Sequence, residues 1–133
     1  MKVRTHQLVG GLFALALAAS TATGALAQEI KIGVLATLEG PFAAGGQDGM
    51  RGAEMALKAH KGMIAGKKIT MIKASSNAQP DVAVASTRKL VEQDKVDIMV
   101  GPLSGSEGIA VKNYSKSQPN ITFINGSSGA QQT

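Results

Sequence analysis

The chain has 133 residues, no cysteine and a formal net charge of +5. Without cysteine it carries no disulfide framework and no thiolate metal site. Its cations are scattered, with only Lys67-Lys68 and Arg88-Lys89 adjacent and no basic stripe with interleaved aromatics, which argues against a nucleic-acid partner.

Lys2 and Arg4 precede the apolar run Leu8–Ala19, and Ala25-Leu26-Ala27 follows it. The run is shorter than the roughly 20 apolar residues of a membrane span. A charged start, a short apolar middle and an A-x-A end predict a secretory signal peptide over residues 1–27, cleaved to leave Gln28 first. The expected product is an exported soluble protein, free in a bacterial periplasm. Losing Lys2 and Arg4 lowers the net charge from +5 to +3. Residues 28–133 suffice for one modest core.

Ile30, Ile32, Val34 and Leu35 predict a first strand over Gln28–Ala36. The small-residue loop Thr37–Gly46 leads to a helix near Gln47–Lys61, with Met50, Ala53, Leu57 and His60 on one face. That spacing makes His60 a packed or half-buried helix residue. Gly46, Gly49 and Gly52, spaced by three, are read as letting the helix approach the sheet. Gly62–Gly66 reads as a turn and Lys68–Ala74 as a second strand. Pro80 and Asp81 suit the first turn of a second helix that ends near Asp94, with Val82, Ala85, Leu90 and Val91 inward.

The stretch from Val96 to Glu107 organises the rest. Val96–Val100 is a buried parallel strand that breaks at Gly101-Pro102. Ser104 followed three residues on by Glu107 fits a capping box, so a helix runs from Ile109 through Tyr114 to about Ser117. Ile121–Ile124 is a fourth strand, and Asn125–Gly129 is another small polar loop. The order β-α-β-α-β-α-β predicts an α/β fold, a parallel sheet with helices on both faces. In such sheets ligands sit beyond the carboxyl ends of the strands, where the strand order reverses. The loops there are Thr37–Gly46, Gly101–Ser106 and Asn125–Gly129. Serine hydroxyls and helix N–H groups at such a point suit a carboxylate or other anion. The residues singled out are Ser104, Ser106, Ser127 and Ser128.

Catalytic and cofactor patterns are missing. No phosphate-loop Gly-Lys-Ser/Thr ending, no G-x-G-x-x-G after the first strand and no G-x-S-x-G occur. The acidic residues form no short-spaced metal cluster. Glu39 and Glu107 are able to face one cleft, but as a pair they are weak evidence for catalysis. No catalytic residue, metal or cofactor is expected.

Ile30–Val34 with Leu38-Glu39-Gly40-Pro41-Phe42-Ala43, Gly52-Ala53 and its helix, Ile64–Ile69, Pro80 and its helix, and Val96–Gly101 occur in this order. Together they resemble the first lobe of the periplasmic leucine/isoleucine/valine-binding proteins, over essentially every residue after the signal. The resemblance implies a Rossmann- or flavodoxin-like lobe of a type I periplasmic binding protein, not an enzyme. It implies the solute-capturing component of an ABC transporter, holding a small carboxylate such as a branched-chain amino acid between two lobes and docking on an inner-membrane permease. Carried over residue by residue, Ser106 with Gly105 would meet the ligand carboxylate, and Ser127 or Ser128 would supply the next loop's groups. The threonine that amino-acid binders place in that loop is missing, and glycine stands at Gly45 where some of them have an aromatic residue. The extra room suits an aromatic acid. The family's second lobe and hinge crossings have no counterpart in residues 28–133, which reads as a partial N-terminal lobe, incomplete and weak in binding on its own. Two other readings are a small exported α/β hydrolase using Ser104 or Ser106, and a stand-alone interaction domain pairing through its sheet edge.

Overall fold

The computed structural model describes residues 29–126 and 128–132, so the expected signal peptide, Gln28, Ser127 and Thr133 lie outside the described residues. The strands are β1 (Glu29–Thr37), β2 (Met63–Ile64), β3 (Lys67–Ser76), β4 (Ile98–Val100) and β5 (Thr122–Ile124). The helices are α1 (Ala43–Ala59), α2 (Pro80–Arg88) and α3 (Gly105–Ser115), and a π-type turn over Lys89–Gln93 prolongs α2. One sheet has the order β2-β3-β1-β4-β5. β1 pairs in parallel with β3 along its whole length and with β4 on its other side, and β5 runs parallel to β4.

Side-chain alternation along β1 divides the interior in two. Leu35 joins Ala83, Leu90, Val91, Val96, Met99 and Val111 in a core under α2 and α3. Val34 and Ala36 face the other way and pack with Met50 of α1. Helices therefore cover both faces, as the β-α alternation predicts. The period of two in Ile30–Ala36 sets this division, because successive side chains leave opposite faces of a strand.

The structure corrects the expected elements in six places. Gly62–Gly66 is not only a turn: Met63-Ile64 pairs antiparallel with Lys67-Lys68 as β2. Ala65 and Gly66 both adopt positive φ, 49° and 75°, which is the backbone of a tight two-residue hairpin. Helix α1 begins at Ala43, so Gly45 and Gly46 lie inside it rather than in a loop. Of the three glycines spaced by three, only Gly46 makes a close approach: a Cβ there would overlap the Thr37 carbonyl oxygen, whereas Gly49 and Gly52 face open space. His60 is not packed in the helix: it caps the end of α1 and is exposed.

The inner face of α2 is turned from the one expected. Ala83, Thr87, Leu90 and Val91 are buried, Val82 is half-buried and Ala85 is exposed. Ala83 and Thr87 lie one turn apart and are small, which lets α2 pack closely on its neighbours; the expected stripe weighed hydrophobicity and not size. Finally, α3 starts at Gly105, four residues ahead of Ile109, because Ser104 caps it directly.

Candidate functional site

From β1 the chain crosses through α1 to β3 on one side, and later strands build outward on the other side through β4 and β5. The order reverses between β1 and β4, so the segments after Thr37 and Val100 part there. A crevice at such a reversal is where open α/β sheets take ligands.

Gly101 has φ of 115°, and a Cβ there would overlap the Leu35 carbonyl oxygen, so only glycine lets the chain leave β4 this close to β1. The peptide bond to Pro102 is cis, and Pro102 is buried. Ser104 then takes extended backbone angles as N-cap, and its Oγ accepts a hydrogen bond from the Glu107 N–H at 3.3 Å. The Ser106 hydroxyl is exposed and lies 3.3 Å from the Ser104 hydroxyl. The first N–H groups of a helix have no partner within it, so Gly105 and Ser106 present donors beside that hydroxyl pair. The helix dipole adds partial positive charge at the same end.

The segment after β5 folds against this turn. The Gly101 N–H donates to the Ile124 carbonyl at 3.1 Å. A Cβ on Gly126 would stand 3.1 Å from the Gly101 Cα, and one on Gly105 would stand 3.1 Å from the Ala130 Cβ. Ser128 therefore belongs to a segment bracketed by contacts with Gly101 and Gly105. Its hydroxyl is buried and has no hydrogen-bond partner among the described residues. Ser104, Gly105, Ser106 and Ser128 thus share one end of the sheet, and the fifth predicted residue, Ser127, lies outside the described residues. A small cleft of about 100 Å³ opens beside them, lined by Gly45, Gly46 and Gly49 of α1 and by Leu103 and Gly126. A larger groove of about 310 Å³ lies between α1 and the sheet face, but His60 is its only polar side chain among Ile32, Leu57, Ile69, Met71 and other apolar residues. It offers no receptor for a carboxylate.

Half of the capping box forms. The Ser104 hydroxyl does cap the helix, yet the Glu107 carboxylate does not swing back to the cap. It turns inward, wholly buried, and accepts a hydrogen bond from the Thr37 hydroxyl at 2.9 Å. Thr37 in turn accepts from the Ser76 hydroxyl at 3.3 Å. Glu39 is exposed, so Glu39 and Glu107 do not face one cleft as a pair. Thr37 and Ser76 are residues that sequence reasoning missed. Their one signal was a hydroxyl residue closing each of two long strands. Among the described residues no group of three His, Asp or Glu side chains is placed to hold a metal ion, and no helix is long and apolar enough to cross a membrane.

A family profile described as periplasmic binding protein matches residues 29–133. The leucine-specific-binding protein of Salmonella typhimurium is 29% identical over 135 residues, an alignment that takes in 92% of this chain and 35% of that protein. A branched-chain amino acid transporter substrate-binding protein of Streptococcus pneumoniae, solved with isoleucine, superposes with a TM-score of 0.71 at 27% identity, over 78% of this chain and 30% of that one. A solute-binding protein of an ABC transporter from Rhodopseudomonas palustris, solved with 3,4-dihydroxybenzoic acid, gives 0.70 at 25% identity, over 76% and 28%. The chain spans about a third of the length of the curated relatives it matches.

Proposed function

The chain belongs to the periplasmic binding protein family, and on that premise we propose that it serves as a solute-binding component of an ABC importer, taking a small carboxylate in the periplasm. What carries this reading is the convergence of the capped start of α3 and the segment after β5 at the sheet's reversal point. In it the Ser106 hydroxyl and the N–H groups of Gly105 and Ser106 receive the carboxylate. Ser127 and Ser128 contribute from the neighbouring segment. Isoleucine and 3,4-dihydroxybenzoate, held by two of the similar structures, mark the two candidate classes, a branched-chain amino acid or an aromatic acid. Gly45 lines the small cleft beside Leu103 and puts no side chain into it, which supports the aromatic acid as one of the two classes.

The reading extends to cleavage after Ala27, release into the periplasm and docking of the loaded protein on an inner-membrane permease. It makes the chain a carrier and not an enzyme. An exported hydrolase would need a base beside Ser104 or Ser106, and the only histidine among the described residues is His60, at the far end of α1.

Native mass spectrometry of the purified chain with a panel of amino acids, aromatic acids and neutral sugars tests the proposal. Adducts of one carboxylate, weakened in Ser106→Ala, are expected. Adducts with the sugars alone would contradict it.

A further inference from the structure

Glu107 is the one charged side chain in the buried interior of the described residues; the other buried polar side chains are Thr37, Ser76 and Thr87. Burying a carboxylate is costly, and an apolar residue of similar size in its place is often neutral or stabilising. Glu107 is therefore poorly explained as a packing residue. It occupies the third position of α3, where a glutamate ordinarily folds back to the cap. Here its backbone N–H holds Ser104 while its carboxylate holds Thr37, and Thr37 holds Ser76. Three chain segments meet in one buried line: the end of β3, the end of β1 and the first turn of α3. The second carboxylate oxygen has no partner among the described residues, so Thr37 is the only side chain shown to fix the group.

We propose that Glu107 is a positioning residue: through Thr37 it locks the first turn of α3 to the end of β1, and so sets where the Ser106 hydroxyl and the Gly105 and Ser106 N–H groups stand. It touches no ligand. Ser104 and Ser106 lie on the same turn, so any shift of the first turn of α3 moves their hydroxyls and the two N–H groups together. The use of this lock rests on the solute-binding reading above, but its existence does not.

Amide hydrogen exchange of the full chain tests it, comparing residues 101–108 with the core segment 30–35 as internal reference. Three variants separate position from stability. Glu107→Gln keeps an acceptor for Thr37 and is expected to match the parent. Thr37→Val leaves the carboxylate alone and is expected to speed exchange at 101–108 at least tenfold more than at 30–35. Thr37→Val with Glu107→Met removes both partners and fills the space. It is expected to recover the parent's melting temperature without recovering protection at 101–108. Full protection of 101–108 in the double variant, or equal acceleration of both segments in Thr37→Val, would overturn the proposal. Isoleucine and 3,4-dihydroxybenzoate are titrated in parallel. If the parent binds neither while the exchange pattern holds, solute binding fails and the lock stands. If Thr37→Val and the double variant both bind as tightly as the parent, with 101–108 protected, the lock fails and solute binding stands.

Discussion

The Thr37 hydroxyl donates to the Glu107 carboxylate at 2.9 Å, joining the last residue of β1 to the first turn of α3 inside the protein. β1 lies at the centre of the sheet and α3 carries the serines of the candidate site, so this bond connects the central strand to that candidate site.

Breaking that bond from the strand side leaves a buried carboxylate with neither oxygen paired. Thr37→Val, which keeps the shape and removes the donor, is expected to lower stability by about 1–3 kcal/mol. Adding Glu107→Met should restore most of the loss, because removing both partners of a buried pair is far less costly than removing one. Urea denaturation of the two variants measures both effects.

Two neighbouring glycines of α1 should respond in opposite ways. A methyl group at Gly46 would overlap the Thr37 carbonyl, so Gly46→Ala is expected to cost about 3 kcal/mol or more. Gly49 is exposed, helical and faces open space, so Gly49→Ala should stabilise by about 0.5–1 kcal/mol. Thermal melts followed by circular dichroism distinguish them.

Tyr114 is the only tyrosine, and the chain has no tryptophan, so its ionisation is read cleanly by ultraviolet absorbance. Partial burial, followed by the hydrogen bond its hydroxyl donates to Glu92 at 3.1 Å, raises its pKa above the ordinary value of 10.0. A raised phenol favours folding fully below the unfolded pKa and loses that contribution as pH rises through the folded value. Stability should therefore decline above about pH 10, with a smaller decline in Tyr114→Phe. A folded-state midpoint at or below 10.0 would contradict this.

Most of the sheet was legible from periodicity alone. Ile30, Ile32 and Val34 alternate, and Ile98–Val100 is apolar and closed by Gly-Pro, so β1 and β4 and the crossovers between them followed, although β4 is two residues shorter than the expected Val96–Val100. The errors lie where contacts distant in sequence decide. Gly45-Gly46 read as a loop because glycine breaks helices, whereas Gly46 is needed inside α1 by the Thr37 carbonyl. Met63-Ile64 is too short to show a period, and only its hairpin partner makes it a strand. The start of the site was visible in the Ser104–Glu107 spacing, because a cap is local chemistry. Whether Glu107 turned back or inward depended on Thr37, seventy positions earlier in the chain. Ser128 was found by its place after β5, and its bracketing by Gly101 and Gly105 required the fold.

The most direct test of the central claim is a ¹H–¹⁵N NMR titration of the purified chain with isoleucine and with 3,4-dihydroxybenzoate. One face of a ligand held by two or three hydrogen bonds, each worth about 0.5–1.5 kcal/mol net, does not offset the roughly 4–15 kcal/mol cost of immobilising it. The account therefore predicts binding weaker than about 1 mM, seen as amide shifts that grow without saturating, centre on Gly105, Ser106 and Ser128 and diminish in Ser106→Ala. Shifts confined to the α1 groove around Leu57 and His60, with those three amides unmoved, would contradict it.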